Sequence, residues 1–389
     1  MDVLLSQDVA LLVFAFLAPA DLLVVERTCA RFRDWGPKDI HWRRAYAAMY
    51  PRSHLRPSES ASSWRHVYVT KRELLRAWRG GVPRRIASFS AHSDGVNAIA
   101  AQKLHGPSSN LYATCAFDRL VKVWRKPTSL KGTEPTSPLM TLAGHQHAVW
   151  SLAWSPHPNE LFSASFDSTV RCWDVETGQN VRVLEADADR LLSMTIEAST
   201  VWTGSLKGEL LQWTRATPNA IAHRVQCMTP CISAMAKHGH RLYIGGVKDI
   251  EVWDERRLQT PIALLVGHDQ AIMDVALLND DRVITASKDS SLKIWDASGI
   301  HRHALFDVPN AHTTAVRSIA VCDDSVATSS NDSTVALWQV GPKTGLRKRE
   351  TLHVHTKQVP SVDVDERSLY TASCDSSVTI HDLVVAPVA

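Results

Sequence analysis

A motif that recurs about every forty residues constrains the fold of this 389-residue chain more than any other feature. Six copies end in tryptophan and a seventh ends in histidine, and they read TCAFDRLVKVW, SASFDSTVRCW, TGSLKGELLQW, GGVKDIEVW, TASKDSSLKIW, TSSNDSTVALW and TASCDSSVTIH. Their last residues, at 124, 173, 213, 253, 295, 338 and 381, are 40 to 49 residues apart. Self-similarity with this period is typical of repeat architectures, in which each unit buries its apolar surface against its neighbours.

Each repeat is predicted to form four short strands. Val121–Trp124 and Leu292–Trp295 show the alternation of a half-buried strand, and a turn with Asp precedes each of them. One four-stranded sheet cannot bury both of its faces, whereas blades packed radially around an axis can. Seven repeats therefore predict an all-β propeller of seven blades. The segment Arg85–Phe89 is predicted to supply the outermost strand of the last blade and so to close the ring.

The repeats resemble the WD-repeat family over roughly residues 86–385. In that family a histidine, a hydroxyl, an aspartate and a tryptophan form a polar network within a blade. Four blades contain all four residues: His92, Thr114, Asp118 and Trp124; His145, Ser163, Asp167 and Trp173; His268, Thr285, Asp289 and Trp295; His312, Thr328, Asp332 and Trp338. Blade 3 has Asp187 and Lys207 at network positions, blade 4 lacks the histidine, and blade 7 has His381 in place of tryptophan.

The network residues have an alternative interpretation, because a histidine, a hydroxyl and a carboxylate can also form a catalytic triad. The same set recurs in several blades, and its hydroxyl lies on an interior strand of the predicted fold. This recurrence favours a structural role. No catalytic residue is expected, and the protein is expected to be a non-catalytic receptor or scaffold subunit.

The loop with the network histidine and the turn with the network aspartate must meet, so both are predicted to lie on one rim of the propeller. Residues just after the histidine loop and just before the aspartate then surround the mouth of the central channel. Eight of them are the predicted substrate-binding residues: Phe117, Trp150, Phe166, Leu192, Leu206, Met273, Lys288 and Arg317. These residues predict a target that binds through an apolar anchor, with an acidic or singly phosphorylated residue of the target as a secondary contact. The alternative is that the aromatic side chains only cover neighbouring blades.

An apolar run near the start of the chain, Val9–Leu23, needs a covering surface. A membrane span needs about 20 apolar residues, and a secretory signal needs a preceding positive charge, which is missing here. We therefore expect no membrane contact. Pro19 is predicted to end a first helix and Asp21 to cap a second. The first helix is apolar nearly all round, and such a small unit cannot cover it, so the segment predicts a partner.

This head resembles the F-box, a short helical module that docks onto a Skp-type adaptor, although Ser6 stands where the family commonly has proline. The matching residues are Val9, Leu12, Phe14, Phe16, Leu17, Pro19, Asp21, Leu22, Cys29, Arg31, Phe32, Trp42 and Arg43. The resemblance implies the substrate-recognition subunit of an SCF-type cullin–RING ubiquitin ligase, with an unknown protein target on the propeller. The implied adaptor-binding residues are Val9, Leu12, Val13, Phe16, Leu17, Pro19, Leu22 and Leu23. The alternative is a WD-repeat scaffold without a ubiquitin-ligase role.

The complete prediction is an all-β seven-bladed WD-repeat propeller at 85–385 and a small all-α F-box domain at 1–50, joined by a linker with a helix at 51–84. Seven scattered cysteines favour reduced thiols and a cytoplasmic or nuclear location. Cys227 and Cys231 form the only close pair, so no metal or cofactor is expected. The residues after Ser90 are mildly acidic, so no nucleic-acid partner is expected. The segment 341–350, GPKTGLRKRE, is expected to be a solvated basic loop.

Overall fold

The computed structural model describes residues 83–103, 111–126, 137–157, 159–187, 189–197, 200–214, 220–341, 345–365 and 367–383. The predicted F-box domain at 1–50, with its adaptor-binding residues, and the predicted linker up to residue 82 lie outside these ranges. The division of the chain at residues 50 and 84 therefore stays a prediction. Among the described residues, no helix is long and apolar enough to cross a membrane.

The described strands form seven antiparallel four-stranded sheets, which are the seven blades. The strands are β1 (Arg84–Ser90), β2 (Val96–Ala101), β3 (Leu111–Ala116), β4 (Val121–Arg125), β5 (Met140–Leu142), β6 (Val149–Trp154), β7 (Glu160–Ser165), β8 (Thr169–Asp174), β9 (Asn180–Glu185), β10 (Leu191–Glu197), β11 (Thr200–Ser205), β12 (Glu209–Thr214), β13 (Ile221–Gln226), β14 (Ala234–His238), β15 (Arg241–Gly245), β16 (Ile250–Asp254), β17 (Ala263–Leu265), β18 (Ile272–Asn279), β19 (Arg282–Ser287), β20 (Leu292–Asp296), β21 (Phe306–Val308), β22 (Val316–Cys322), β23 (Ser325–Ser330), β24 (Thr334–Gly341), β25 (Gly345–His353), β26 (Ser361–Val364), β27 (Ser368–Ala372) and β28 (Ser377–Asp382). Blades 1 to 6 take four consecutive strands each from β2 to β25, and blade 7 takes β26, β27, β28 and β1. The predicted all-β propeller of seven blades is confirmed.

The innermost strands of the blades form a closed ring around a central channel. The strands β2, β6, β10, β14, β18, β22 and β26 each contact the next in this order, and β26 contacts β2. Blade 7 is completed by β1, which pairs antiparallel with β28 and places Ala87 opposite Ile380 and Phe89 opposite Val378. The predicted closing role of Arg85–Phe89 is confirmed, because the first described strand completes the last blade.

The apolar core lies between neighbouring blades. One cluster between blades 7 and 1 contains Ala87, Tyr112, Trp124 and Ile380, and each of these four residues is at most 2% exposed. Because both faces of every sheet are covered, the second strand of a blade consists mainly of apolar and small residues. The last five residues of β7, LFSAS, are all buried and show this composition. This burial explains why these strands lack the alternating pattern of a sheet with one solvated face.

A glycine turn of one blade covers the outermost strand of the preceding blade. Gly178 lies beside Met140 at the edge of blade 1, and Gly299 lies beside Ala263 at the edge of blade 4. Both glycines have a left-handed backbone, with φ of 73° and 75°. At Gly299 a Cβ would also approach the Ala263 Cβ to 2.9 Å. Glycine is therefore favoured at both turns, and the contact protects strand edges that could pair with another chain.

The outermost strand of blade 6 corrects the interpretation of residues 341–350. The sequence predicts a solvated loop there, but Gly345–His353 forms β25, the longest strand among those described. The Lys348 ammonium donates to the Ala311 carbonyl at 2.9 Å and lies 5.3 Å from the centre of the Trp338 ring. The long stem of lysine can cover an apolar surface, so the basic side chains conceal the pattern of a strand.

Candidate functional site

The predicted polar network is present in blades 1, 2, 5 and 6. In blade 5 the Trp295 indole donates to Thr285 Oγ1 at 2.8 Å, and the same hydroxyl lies 2.8 Å from His268 Nε2. His268 Nδ1 is 2.8 Å from the Asp289 carboxylate, so Nδ1 donates and Nε2 accepts. The equivalent distances in blades 1, 2 and 6 are 2.8 to 3.2 Å. Because Thr285 is fully buried and bonded to two rings, the arrangement is structural.

The network aspartates hold two loops of a blade together at one rim. Besides the histidine, Asp289 accepts hydrogen bonds from the backbone N–H groups of Asp269 and Ser291, at 3.0 and 2.9 Å. Burial opposes ionisation, but the hydrogen bonds from Ser291 and His268 outweigh it and lower the pKa of Asp289 to about 2. The ionised carboxylate therefore keeps the histidine loop and the aspartate turn on the same rim, where the sequence places them.

Blade 4 has a different polar network, which the sequence reasoning missed. The carboxylate of Glu251, which is 2% exposed, accepts the Trp253 indole N–H at 3.0 Å. It also accepts the backbone N–H groups of Thr229 and Met228, at 2.5 and 3.3 Å. One buried acid therefore replaces the histidine, hydroxyl and aspartate of the other blades. The available signal was an acid two residues before tryptophan in a repeat that lacks the histidine.

Blade 7 has a buried histidine at the tryptophan position. His355 keeps the network, with Nε2 at 2.8 Å from Thr371 Oγ1 and Nδ1 at 2.9 Å from Ser377 Oγ. His381 is 4% exposed, and its Nδ1 is buried with no hydrogen-bond partner among the described residues. Burial, together with the nearby His355 and Arg85, lowers the pKa of His381 to about 4. The neutral imidazole is therefore the form that the folded blade accommodates.

Replacing His381 by phenylalanine is expected to reduce the pH dependence of stability between pH 6.5 and 4. In this window the unfolded chain takes up a proton on the imidazole and the folded protein does not, so the free energy of unfolding decreases as the pH falls. At pH 4, proton uptake by His381 in the unfolded chain lowers the free energy of unfolding by about 3 kcal/mol compared with neutral pH. The measurement is the urea midpoint as a function of pH. The exposed His303, replaced in the same way, is the control, and an equal change in both variants would contradict the prediction.

A cavity of about 450 Å³ at the channel mouth is lined by residues of all seven blades. Irregularities in strand register occur at Asn97, Trp150, Leu192, Met273 and Arg317, which all line this cavity. A β-bulge redirects a side chain. In these five blades the bulge turns the second residue of the innermost strand toward the channel. Five of the eight predicted binding residues line the cavity, namely Trp150, Leu192, Met273, Lys288 and Arg317. Their role in binding stays a prediction.

The other three predicted residues lie on the rim outside the cavity lining. Phe117 packs edge-on against Trp150 with ring centres 6.0 Å apart, and Trp150 stacks on Phe166 at 4.8 Å. The Arg190 guanidinium lies 5.5 Å from the centre of the Phe166 ring. We call Phe117, Trp150 and Phe166 the aromatic stack. The stack joins blades 1 and 2, yet Phe117 remains 41% exposed, so the aromatic side chains also present a surface to solvent.

The apolar rim continues over blades 3 and 4. Leu206, Met228 and Val247 are 38%, 69% and 45% exposed. Their turns are adjacent, because Cys227 N donates to the Gly208 carbonyl at 2.9 Å and Val247 N donates to the Thr229 hydroxyl at 3.3 Å. Sequence reasoning identified Leu206 but missed Met228 and Val247, since blades 3 and 4 have irregular network positions. The apolar part of the rim thus extends from blade 1 to blade 4.

Two cations occupy the opposite part of the rim. Lys288 is exposed and Arg317 is half-buried, and both line the cavity. Neither side chain has a hydrogen bond or ion pair with another residue in the described ranges. Burial lowers the pKa of Arg317. One carboxylate, Asp274, also lines the cavity, and it accepts a hydrogen bond from the Ile319 N–H at 2.7 Å. The rim therefore has an apolar half and a half with two uncompensated positive charges.

Cys227 is buried and Cys231 is half-buried. Burial raises the pKa of both thiols, and metal ligation requires thiolates. In the described part of the chain, no group of three or more His, Cys, Asp or Glu residues could hold a metal ion.

Comparison with known families agrees with the blade networks. The family model described as WD domain, G-beta repeat matches residues 83–125, 136–174, 259–296 and 305–339. The chain contains WD40 repeats. The matched segments contain the three inner strands of blades 1, 2, 5 and 6, which are the four blades with a complete network, each preceded by the outermost strand of the blade before it. WD40 propellers are generally non-catalytic scaffolds, in agreement with the structural role of the histidine, hydroxyl and aspartate groups.

Curated relatives match about half of the chain or less. The chain is 22% identical to the ribosome biogenesis protein WDR12 homolog of Drosophila mojavensis, over 55% of this chain and 54% of that protein. It is 35% identical to the ribosome biogenesis protein WDR12 homolog of Chlamydomonas reinhardtii, over 24% of this chain and 25% of that protein. Protein SPA1-RELATED 3 of Arabidopsis thaliana is 24% identical over 50% of this chain and 24% of its own length. The chain spans about half, or less, of the length of these relatives.

These comparisons correct the functional interpretation of the sequence. The expected role as a substrate-recognition subunit of an SCF-type ubiquitin ligase is wrong, because these relatives include ribosome biogenesis proteins from several organisms and no F-box protein. An apolar run such as Val9–Leu23 needs a covering surface, but its hydrophobicity does not specify which protein supplies that surface. The Skp-type adaptor and the cullin–RING ligase are therefore not supported as partners. The WD-repeat scaffold, which was the alternative, is the better interpretation.

Proposed function

We propose that the chain is a WD40 scaffold that brings proteins together during ribosome assembly. The observation that carries this proposal is the similarity of part of the chain to ribosome biogenesis proteins from insects and an alga. The propeller geometry supports it, because a closed ring of blades presents a rigid and wide rim to a partner. No catalytic step in this chain is required for such a role.

The channel rim is the proposed binding surface. The aromatic stack and the exposed Leu206, Met228 and Val247 provide an apolar surface that has no covering element in the described structure. Large aromatic side chains near the centre of an interface commonly carry most of the binding energy. Lys288 and Arg317 would pair with one anionic group of the partner, either an acidic side chain or a singly phosphorylated residue. The proposed partner is therefore a protein segment with an apolar anchor and one negative charge.

A direct test of the function is depletion of the protein in the cells that make it. Maturation of pre-ribosomal RNA is expected to slow, and re-expression of the wild-type chain is expected to restore it. Pulse labelling of RNA measures the rate of maturation. Unchanged maturation in depleted cells would contradict the proposal.

The variant Trp150→Ala/Phe166→Ala is expected to weaken association with the partner by about 30-fold or more, since it removes two aromatic anchors of the rim. Association is measured by sedimentation of the chain with pre-ribosomal particles on sucrose gradients. The control is Val181→Ser, because Val181 is 60% exposed on the outer strand of blade 2 and away from the rim. Equal sedimentation of both variants would exclude the rim as the binding surface.

A further inference from the structure

Exposed apolar side chains form a second large group on the outer side of the propeller. Ten large apolar side chains are exposed in the described ranges, and they fall into three groups. Phe117, Leu206, Met228 and Val247 lie on the rim, and Leu139 and Val181 lie on the outer strands of blades 1 and 2. The remaining four, Ile262, Val266, Ile300 and Leu305, lie on the outer side of blades 4 and 5, with exposed fractions of 48%, 40%, 78% and 41%. We call these four residues the lateral surface.

The lateral surface is one continuous feature because two chain segments run side by side. Val266 N donates to the Arg302 carbonyl at 2.9 Å, and a Cβ on Gly299 would lie 2.9 Å from the Ala263 Cβ. Residues 299–302 therefore follow residues 263–266 in the same direction. Both segments are anchored to their own blades, since Ile262 N donates to the Val252 carbonyl and Leu305 N donates to the Ile294 carbonyl, each at 2.7 Å.

A well-defined turn presents Ile300, the most exposed member of the lateral surface. Asp296 accepts the backbone N–H and the hydroxyl of Ser298, at 2.8 and 2.6 Å. The Ser298 hydroxyl in turn accepts the Ile300 N–H at 3.2 Å, and Gly299 has the left-handed backbone that the turn requires. The isoleucine is thus held outward by a network of hydrogen bonds. An ordered turn that displays a large apolar side chain is typical of an interaction surface.

The charged side chains near the lateral surface that lack an ion-pair partner among the described residues are positive. Arg302 and Arg257 are exposed, and in the described part of the chain neither side chain has an ion pair or a hydrogen bond. The acids nearby are already engaged, because Asp254 pairs with Arg256 at 2.6 Å and Glu255 pairs with Lys237 at 3.1 Å. An acidic partner would therefore meet two free guanidinium groups beside an apolar surface.

We propose that the lateral surface is a second docking site, which binds an acidic amphipathic peptide segment of a partner protein. The apolar residues of the segment pack on Ile262, Val266, Ile300 and Leu305, and its carboxylates pair with Arg257 and Arg302. The site lies on the outer side of the propeller, so it can be occupied while the rim holds another protein. The proposal of this second docking site does not depend on the role proposed in ribosome assembly.

The test uses a display library of random 16-residue peptides, selected on the immobilised full-length chain. Selected peptides are expected to combine Leu, Ile or Phe with several Asp or Glu residues. Their dissociation constants, from fluorescence anisotropy, are expected to rise at least tenfold on Ile300→Ser and at least threefold on Arg302→Glu. The rim variant Leu206→Ser and the outer-strand variant Val181→Ser are matched controls, and neither is expected to change the affinity of the peptides that depend on Ile300. Each replaced side chain is exposed, and thermal unfolding verifies that the variants are folded.

Four results would overturn the proposal. The first is the absence of any selected peptide whose affinity depends on Ile300, and the second is a set of Ile300-dependent peptides without acidic residues. The third is a dimer of the full-length chain that Ile300→Ser dissociates in light scattering, which would assign the surface to a second copy. The fourth is co-sedimentation with phosphatidylserine vesicles that Arg302→Glu abolishes, which would assign it to an anionic membrane.

Discussion

Replacing Trp295 by alanine is expected to lower the free energy of unfolding by about 3–5 kcal/mol. The Trp295 side chain is 0% exposed and packs in a core cluster with Tyr243, Val252 and Val283. Its indole also donates to Thr285 Oγ1, which would lose that partner in the variant. The loss therefore combines a large cavity between blades 4 and 5 with a weakened polar network. Urea unfolding followed by tryptophan fluorescence and far-ultraviolet circular dichroism measures the change.

The control for Trp295 is Trp150→Ala at the channel mouth. Trp150 is only half-buried, and its ring stacks on Phe166. Loss of that contact is expected to cost about 1 kcal/mol. Equal destabilisation by the two substitutions would contradict the view that the tryptophans of the blade network hold the ring together.

Replacing Ala87 by glutamate is expected to destabilise the propeller by about 3 kcal/mol or more. Ala87 is 2% exposed in β1, between Tyr112, Trp124 and Ile380 of blades 1 and 7. The carboxylate of a glutamate there would be buried without a partner. Its side chain would also be larger than the space that the neighbouring core residues leave for alanine. Because β1 completes blade 7, loss of its pairing with β28 would open the ring. Amide hydrogen exchange is expected to accelerate first in β26 to β28 and β2.

Arg84→Glu is the matched control for Ala87→Glu. Arg84 begins the same strand but is exposed, so the same new charge is expected to change stability by no more than about 0.5 kcal/mol. If Ala87→Glu were as stable as Arg84→Glu, β1 would not act as the closing strand of the ring.

The parts of the fold that repeat were predictable from the sequence. The spacing of the repeats fixes seven blades, and a ring with an incomplete last sheet needs a strand from the other end, which is β1. The rim positions were also predictable, because the distance from the network histidine to the bulge is nearly constant. Trp150, Met273 and Arg317 all line the cavity for this reason.

The parts that depart from the repeat were not predictable in the same way. Glu251 takes over the network of blade 4 through its burial and its contacts with two backbone N–H groups, and these depend on tertiary structure. The lateral surface depends on two loops of adjacent blades, and no periodic pattern marks Ile300 or Val266. The expected role in an SCF-type ubiquitin ligase was wrong because a hydrophobic run indicates that a partner surface is needed but does not specify which protein supplies it.

Photo-cross-linking from the rim in living cells tests directly whether the rim binds ribosome-assembly proteins. A photoreactive amino acid replaces Leu206, which is exposed on the rim, and in a parallel strain it replaces Val181 on the outer strand of blade 2. Mass spectrometry then identifies the cross-linked proteins. We expect cross-links from position 206 to proteins of pre-ribosomal particles, and none of these cross-linked products from position 181. The same products from both positions, or no ribosome-assembly protein from position 206, would contradict this expectation.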